Sequence, residues 1–257
     1  MPIQHKFIQT NFGSGFETHN AILDTTPYKP EVMIVGTFNP GTPGANFADF
    51  FYGRNYFWTG FKNLFIHNNV IIQNRRMPTN GILPPAVLNP TLPEILDLCK
   101  KLKLTFSDLI LEAFHNNNPV YQQLPNDNVI FNGLEFNLIQ DGQNGNVGGL
   151  QQINALGQVN WNTPNIIKYL CENPQIKTIY FTRQPTGIWG AHWNMIINHK
   201  CMAGRLTTNI FTPSGLGLRG TPRMNALLKH WVHNNHPNFG QLDNNWLTNN
   251  GVNILNF

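Results

Sequence analysis

Charged residues are scarce in this chain. Asp, Glu, Lys and Arg make up 12% of its 257 residues, whereas an ordinary soluble domain has about 25%. This deficit excludes a coiled coil and an acidic disordered tail, because both need dense charge. The 17 basic residues exceed the 13 acidic ones, which gives a formal net charge of +4 and an isoelectric point near 9.0. Such a balance suits an anionic partner, although the dense basic tail of an architectural DNA-binding protein is missing.

Cysteines and long apolar runs are also few. Cys99, Cys171 and Cys201 lie far apart, and no CxxC motif or Cys/His run is present. We therefore expect reduced, mostly buried thiols, without a disulfide framework and without a zinc or iron–sulfur site. No stretch approaches about eighteen consecutive apolar residues, and the first residues lack the apolar segment of a signal peptide. The expectation is a cytoplasmic protein that makes no contact with a membrane.

Alternating strand and helix patterns indicate an α/β fold. The apolar run Val32–Val35 predicts a central parallel strand that is buried on both faces. Thr91 and Glu94 form a capping-box pattern that opens a helix to about residue 102. Further strands are predicted at 105–110, 177–182 and 206–211, and further helices at 56–66, 163–170, 188–199 and 221–232. Such βα steps favour a parallel sheet with helices on both faces, where ligands bind at the carboxyl ends of the strands.

The middle of the chain has a different composition. Asn, Gln and Gly dominate residues 115–162, and 129–139 alternates weakly, as in a hairpin. We interpret this segment as an elaboration of a single domain over residues 1–257 rather than as a linker. Whether it packs on the core, forms a dimer contact or touches a partner stays open, as does the oligomeric state.

Three segments carry candidate chemistry. A Gly-rich turn, GTFNPG at 36–41, follows the first predicted parallel strand, and TPSGLGLRG at 212–220 follows the last. Neither matches GxGxxG or GxxxxGK[ST], which argues against a dinucleotide site and a P-loop. Between them, DFFYGRNYFW at 49–58 interleaves aromatic rings with Arg and Asn. Glycines let backbone N–H groups converge on an anion, rings stack on bases, and an apolar loop tip can wedge between base steps, as a base-flipping enzyme requires.

These segments, in this order, resemble the uracil-DNA glycosylase superfamily. The first (Val-Gly-Thr-Phe-Asn-Pro-Gly, 35–41) and the last (Thr-Pro-Ser-Gly-Leu, 212–216) are most similar to mismatch-specific uracil-DNA glycosylases, and the aromatic segment (Phe-Phe-Tyr-Gly-Arg-Asn-Tyr-Phe-Trp, 50–58) to the hypoxanthine type. The resemblance covers roughly residues 30–66 and 177–232. It implies a three-layer α/β/α sandwich with a central, mainly parallel four-stranded sheet.

The same resemblance implies a function. The protein would be a monofunctional DNA glycosylase of base excision repair, which hydrolyses the N-glycosidic bond of a flipped deaminated base, uracil or hypoxanthine, without a metal or another cofactor. Its partner would be duplex or single-stranded DNA that carries such a base.

The resemblance also assigns roles at the base. Asn39 would position the attacking water, and backbone N–H groups around Phe38 and the turn 212–214 would stabilise the departing base. Phe51 or Tyr52 would stack on the flipped base, and Tyr56 is a further candidate for that role. The expected base pocket consists of Gly36, Thr37, Phe38, Phe51, Tyr52, Thr212 and Ser214.

Three residues would contact the rest of the DNA. Leu216 would fill the hole that the flipped base leaves in the duplex. Arg219 would contact a phosphate or the orphaned partner base, and Arg54 is the third expected DNA contact.

Two positions depart from the most active uracil enzymes. Those enzymes have a His before Pro-Ser in the last motif and an acidic water activator, whereas this chain has Thr212 and Asn39. An amide orients water but accepts a proton poorly, so the mechanism would depend on an oxocarbenium-like transition state and on stabilisation of the base anion. One alternative is a catalytically weak or inactive nucleic-acid- or nucleotide-binding relative on the same fold. Another is an unrelated α/β hydrolase or transferase for a small anionic metabolite, although no GxSxG or HExxH string supports it.

Other conspicuous residues have structural interpretations. We expect Phe57 and Trp58, at a helix start, to face the sheet. Asp108, at the end of a strand pattern, is interpreted as structural, and Asp49 as a turn residue. The histidines, including His192 and His199, do not cluster at ligand spacing.

Overall fold

The structure is a computed structural model that describes residues 3–41, 48–53, 55–71, 90–113, 150–155, 157–214 and 223–257. Strands and helices alternate along much of this part of the chain, which is a mixed α/β protein. The strands are Ile3–Gln4 (β1), Asn11–Gly13 (β2), Phe16–His19 (β3), Ile22–Thr25 (β4), Val32–Gly36 (β5), Leu104–Asp108 (β6), Ile110–Ala113 (β7), Val159–Trp161 (β8), Thr178–Phe181 (β9) and Leu206–Asn209 (β10).

Helices follow most of the longer strands. They are Phe57–Lys62 (α1), Leu92–Leu102 (α2), Leu150–Ala155 (α3), Thr163–Glu172 (α4), Gly187–Ile197 (α5), Arg223–His233 (α6) and Asn244–Asn249 (α7). A π-helical turn, Asn63–His67, continues α1, and two 3₁₀ turns lie at Lys200–Met202 and Ile254–Asn256. The backbone N–H of Thr91 donates to Glu94 Oε2 at 2.7 Å, so the capping box predicted at the start of α2 is confirmed. The hairpin predicted at 129–139 lies outside the described residues.

One sheet has seven strands in the order β10-β9-β5-β6-β4-β3-β2. Each neighbouring pair among β10, β9, β5 and β6 is parallel, whereas β4, β3 and β2 add antiparallel to the edge of β6. The expected sheet of four strands is therefore too small, because the N-terminal residues add three strands. A second, smaller sheet joins β7 to β1 and β8.

The turn between β3 and β4 explains why the sequence pattern does not predict this N-terminal hairpin. His19 pairs with Ile22, so only Asn20 and Ala21 connect β3 and β4. Both residues have left-handed backbones, with φ near 51° and 52°, as a two-residue hairpin turn of type I′ requires. The usual signal for this turn is Asn-Gly or Asp-Gly, and here an alanine takes the place of glycine.

The parallel strands separate two apolar layers. All five residues of β5 are buried, and the strand alternates between the layers, since Val32 and Ile34 join one cluster while Met33 and Val35 join the other. The first cluster includes buried side chains of α1, α2, α6 and α7. The second includes those of α3, α4 and α5. Helices therefore cover both faces of β5, as its continuous apolar sequence predicts.

Two cysteines form a disulfide, which corrects the expectation of three reduced thiols. Cys171, at the end of α4, is bonded to Cys201 in the 3₁₀ turn before β10, with Cα atoms 5.3 Å apart. Thirty residues separate the two cysteines along the chain, so their proximity depends on the packing of α4 beside that turn. Cys99 is free and buried, as expected. Among the described helices, none has the length and apolar character needed to cross a bilayer.

A close helix contact supports the first apolar layer. A Cβ placed on Gly60 of α1 would lie 2.8 Å from Cζ3 of Trp231 in α6. The Trp231 indole is fully buried, and its Nε1 donates to the carbonyl oxygen of Phe211 at 2.8 Å. The indole is therefore fixed at its edge and cannot move away freely.

We predict that Gly60→Ala lowers the free energy of unfolding by about 1–3 kcal/mol, because the methyl group would overpack this contact. In an unobstructed helix the same change would raise stability by roughly 1 kcal/mol. Urea unfolding measures the difference. In a Trp231→Phe background, where the ring is smaller, the added cost should shrink; an equal cost in both backgrounds would contradict the proposed contact.

Candidate functional site

The candidate site lies where four parallel strands end. In the strand register Gly36 of β5 pairs with Asp108 of β6, and Val35 pairs with Phe181 of β9. Thr182 follows β9 directly, and Thr212 lies shortly after β10. Because the strands are parallel, these residues all lie at the carboxyl edge of the sheet, where α/β proteins bind ligands. The first motif and the described residues of the last motif, 212–214, therefore both follow strands that end at this edge.

A buried carboxylate, Asp108, is the centre of this edge. Its side chain is 1% exposed. Its Oδ2 atom lies 2.7 Å from His5 Nε2 and 2.7 Å from Asn39 Nδ2. Oδ1 is also buried and has no hydrogen-bond partner among the described residues. Asp108 therefore holds an imidazole and an amide with one oxygen, while its other oxygen remains unsatisfied.

The hydrogen-bond partners of His5 determine its tautomer. The backbone N–H of Phe7 donates to His5 Nδ1 at 3.0 Å, so that nitrogen must carry a lone pair. The proton of the neutral ring is then on Nε2, which donates to Asp108. His5 is 2% exposed, and its own backbone N–H donates to the carbonyl oxygen of Leu111. The N-terminal segment thus delivers a fixed donor to the carboxylate.

The same segment holds the loop that carries Asn39. Lys6 N donates to Asn39 O at 2.7 Å, and Gly41 N donates to Gln4 O at 2.8 Å. Because only the amide nitrogen of Asn39 can donate to a carboxylate, the bond to Asp108 settles the orientation of the amide. Its carbonyl oxygen, Oδ1, is left to accept a hydrogen bond from another group. The side chain is only partly buried, so a water molecule can reach it.

The hydroxyl of the buried Tyr52 lies near Asp108 and Gly36. Thr182 Oγ1 donates to Val35 O at 3.3 Å, so the Tyr52 hydroxyl donates to Thr182 Oγ1, 2.9 Å away. Burial, together with the nearby Asp108 carboxylate, raises the pKa of Tyr52 well above its usual value, so the phenol stays protonated. A Cβ on Gly36 would lie 2.2 Å from Asp108 Oδ1 and 2.6 Å from the Tyr52 hydroxyl. Only glycine therefore fits at position 36.

The expected stacking platform has a different place in the structure. Phe51 is fully buried and packs on Phe106 with ring centroids 5.8 Å apart. Tyr52 is 7% exposed and stacks on Phe57, and Tyr56 is 1% exposed. None of the three candidate rings offers an open face to a base in this structure. Their burial has a simple cause, because the aromatic segment covers the end of the first apolar layer.

Phe38 is the ring of the predicted pocket that is partly exposed. Its centroid lies 6.1 Å from that of His5, beside the Asp108 network. The prediction that Phe57 and Trp58 are core residues is confirmed, since they are 0% and 3% exposed. Phe38 is therefore more accessible to a ligand than Phe51, Tyr52 and Tyr56 are.

The last motif contacts the aromatic segment. Pro213 O accepts a hydrogen bond from the backbone N–H of Tyr56 at 3.1 Å. Thr212 and Ser214 are partly buried, and the Thr212 hydroxyl accepts from Ser214 N at 3.4 Å. Thr37 is also partly buried, and its carbonyl oxygen accepts from Ile110 N. The expected DNA contacts Arg54, Leu216 and Arg219 lie outside the described residues.

The sequence alone does not identify His5 as a residue of the site. The structural role that the strand pattern predicts for Asp108 agrees with its buried hydrogen bonds to His5 and Asn39, and a further role in the reaction is a matter for the proposal below. His5 lies 103 residues from Asp108 in the chain and belongs to no motif, so nothing local indicated the pairing. Comparison of the chain with protein-family models, curated proteins and solved structures found no match.

We predict that His5→Leu lowers the free energy of unfolding by about 2–4 kcal/mol, because it removes a donor from a buried carboxylate. His19→Leu is the matched control. His19 lies 3.2 Å from Glu17, but both side chains are about half exposed, and such surface pairs contribute about 0–1 kcal/mol. Chemical denaturation measures the free energy of unfolding of both variants. Equal decreases would contradict the prediction that the buried His5–Asp108 pair contributes more to stability than the exposed His19–Glu17 pair.

Proposed function

We propose that the protein is a DNA glycosylase that hydrolyses the N-glycosidic bond of a flipped, deaminated base without a metal. The observation that carries the proposal is the hydrogen bond from Asn39 Nδ2 to Asp108, which fixes the orientation of the amide and leaves its oxygen as an acceptor for water. We further propose that β10, β9, β5 and β6, with helices on both faces, form the parallel centre of a uracil-DNA glycosylase-like α/β/α sandwich.

The chemistry follows from what an amide can do. Asn39 Oδ1 accepts a hydrogen bond from water and directs its oxygen toward C1′ of the sugar. It does not take the water's proton, so the bond from C1′ to the base must break first, with its electron pair leaving on the base. The water oxygen then bonds to the positively charged sugar, and its proton is released to solvent or to the departed base.

The buried carboxylate supports this order of events. An oxocarbenium-like sugar carries positive charge. Asp108 supplies fixed negative charge next to Asn39, to which it is hydrogen-bonded. Preorganised charge at a protected edge is an effective way to stabilise a developing ion. Because His5 and Asn39 both donate to Oδ2, the carboxylate does not need to reorganise as the sugar charge develops.

The leaving base needs stabilisation of its own negative charge. Backbone N–H groups around Phe38 and the turn 212–214 lie at the same edge and are the proposed donors. Thr212 has a neutral hydroxyl where the most active uracil enzymes have a His. We therefore expect slow base release and a preference for bases whose anions leave readily.

Cations near the edge suit an anionic substrate such as DNA. Lys6 adjoins His5 in the segment that holds the Asn39 loop, and Arg183 follows Thr182 at the end of β9. The net charge of +4 adds a general attraction for phosphates. These charges suit an anionic ligand, a property that DNA shares with a small anionic metabolite.

We predict that Asn39→Ala lowers base release by at least about 100-fold, because the water loses its orienting acceptor. The assay uses labelled duplexes and single strands that carry one uracil, hypoxanthine or xanthine, and it detects alkali-labile sites. Asn194→Ala is the matched control, since Asn194 is exposed on α5, away from the carboxyl edge.

Activity that both variants retain in full would point to a contaminating glycosylase and would contradict the role of Asn39. Absence of base release from every lesion, with the protein folded, would reject the enzyme. Salt-dependent duplex binding in that case would support the alternative of a nucleic-acid-binding relative without chemistry.

A further inference from the structure

A second cluster of chemically competent side chains lies at the opposite end of the sheet. Cys171 ends α4, while His199 and Cys201 lie in the turn that precedes β10. Strands β9 and β10 begin nearby, whereas the Asp108 network lies at their carboxyl ends. The two sulfurs and the His199 Nδ1 atom all lie within 4.8 Å of one another. This cluster has no role in the proposed glycosylase reaction.

The spacing of the cluster suits a tetrahedral metal. In a tetrahedral zinc site the Zn–S bond is about 2.3 Å and the Zn–N bond about 2.0–2.1 Å, which sets the sulfur and nitrogen about 3.6 Å apart. Cys171 Sγ and His199 Nδ1 are 3.7 Å apart. The two sulfurs, which are bonded to each other here, would need to separate to about 3.8 Å after reduction. Side-chain rotation of two neighbouring cysteines can provide that separation.

The imidazole already presents the correct atom. The backbone N–H of Cys201 donates to His199 Nδ1 at 3.3 Å, so Nδ1 carries a lone pair and the proton of the neutral ring is on Nε2. A metal ion requires that unprotonated nitrogen. His199 therefore needs no change of tautomer to become a ligand, and the hydrogen bond from Cys201 N breaks when the metal takes the Nδ1 lone pair.

The backbone around the cluster is braced independently of the disulfide. Arg205 Nη2 donates to Leu170 O at 2.7 Å and to Asn173 O at 3.3 Å, which ties the end of α4 to the start of β10. Met202 N also donates to His199 O within the 3₁₀ turn. Reduction of the disulfide would therefore leave the three side chains close together.

We propose that the reduced chain binds a thiophilic divalent cation, Zn²⁺ above all, through Cys171 Sγ, Cys201 Sγ and His199 Nδ1, with water as the fourth ligand. A thiol reductant first converts the disulfide to two thiols and is itself oxidised to a disulfide. Binding of the cation then releases the two thiol protons, and the thiolates bond to the metal. Because sulfurs bonded to each other are not thiolates, the disulfide and the metal exclude each other.

The test uses the full chain, reduced or oxidised, and Co²⁺ as a spectroscopic probe for Zn²⁺. The reduced protein should bind one Co²⁺ with a thiolate-to-cobalt charge-transfer band and the intense visible bands of a tetrahedral ion. Zn²⁺ should displace it at a stoichiometry of one. The oxidised protein should show neither signal, and addition of a thiol reductant should restore both.

Variants assign the ligands. Cys171→Ser and Cys201→Ser should each lower the intensity of the charge-transfer band at least about twofold, because one of two thiolates is lost, and His199→Ala should weaken binding at least about tenfold. His19→Ala and Cys99→Ala are the controls and should leave binding unchanged, with near-ultraviolet circular dichroism confirming that each variant is folded. Reduced wild type without the cobalt bands, or unaltered affinity in His199→Ala, would overturn the proposed site.

Discussion

The burial of one carboxylate governs the architecture of the candidate site. Asp108 ends a central strand with 1% exposure, and an ion in such a place must be held by donors. The donors come from two other parts of the chain, His5 in the N-terminal segment and Asn39 in the loop after β5. Gly36 follows from the same constraint, since any side chain there would collide with Asp108 and Tyr52. Two separate segments are therefore tied to a single charge.

This arrangement changes what Asn39 can contribute to chemistry. A free amide can present either its nitrogen or its oxygen, and only the oxygen can orient water for attack. The bond to Asp108 selects the oxygen without placing a strong base beside the water. In the proposed reaction the negative charge acts one contact away, on the sugar cation, rather than as a proton acceptor. An amide that orients water and a carboxylate that stabilises the sugar cation, without a general base, are consistent with a slow hydrolase in which the glycosidic bond breaks before water attacks.

The two ends of the parallel strands have different chemical characters. The carboxyl ends carry the polar network and the first glycine-rich motif, while the amino ends of β9 and β10 lie near the Cys171–Cys201 disulfide and His199. The disulfide links α4 to the turn before β10. In the proposed metal-bound state the same three side chains would retain that link by coordination. The redox state would then decide whether a disulfide or a metal ion links α4 to the turn before β10. The Asp108 network would stay intact in both states.

Local patterns in the sequence determined the elements that depend on local physics. The apolar run of β5 specified a strand buried on both faces, and the Thr91–Glu94 capping box specified the start of α2, because both signals involve neighbouring residues. The sequence does not predict the N-terminal hairpin, because its left-handed turn consists of Asn20 and Ala21 instead of the usual pair that ends in glycine. Only the tertiary structure decided three further features. These are the burial of the aromatic segment, the Cys171–Cys201 bond and the partners of Asp108. Each depends on groups brought together from distant positions, 103 and 69 residues apart for Asp108, and no local pattern records such a meeting.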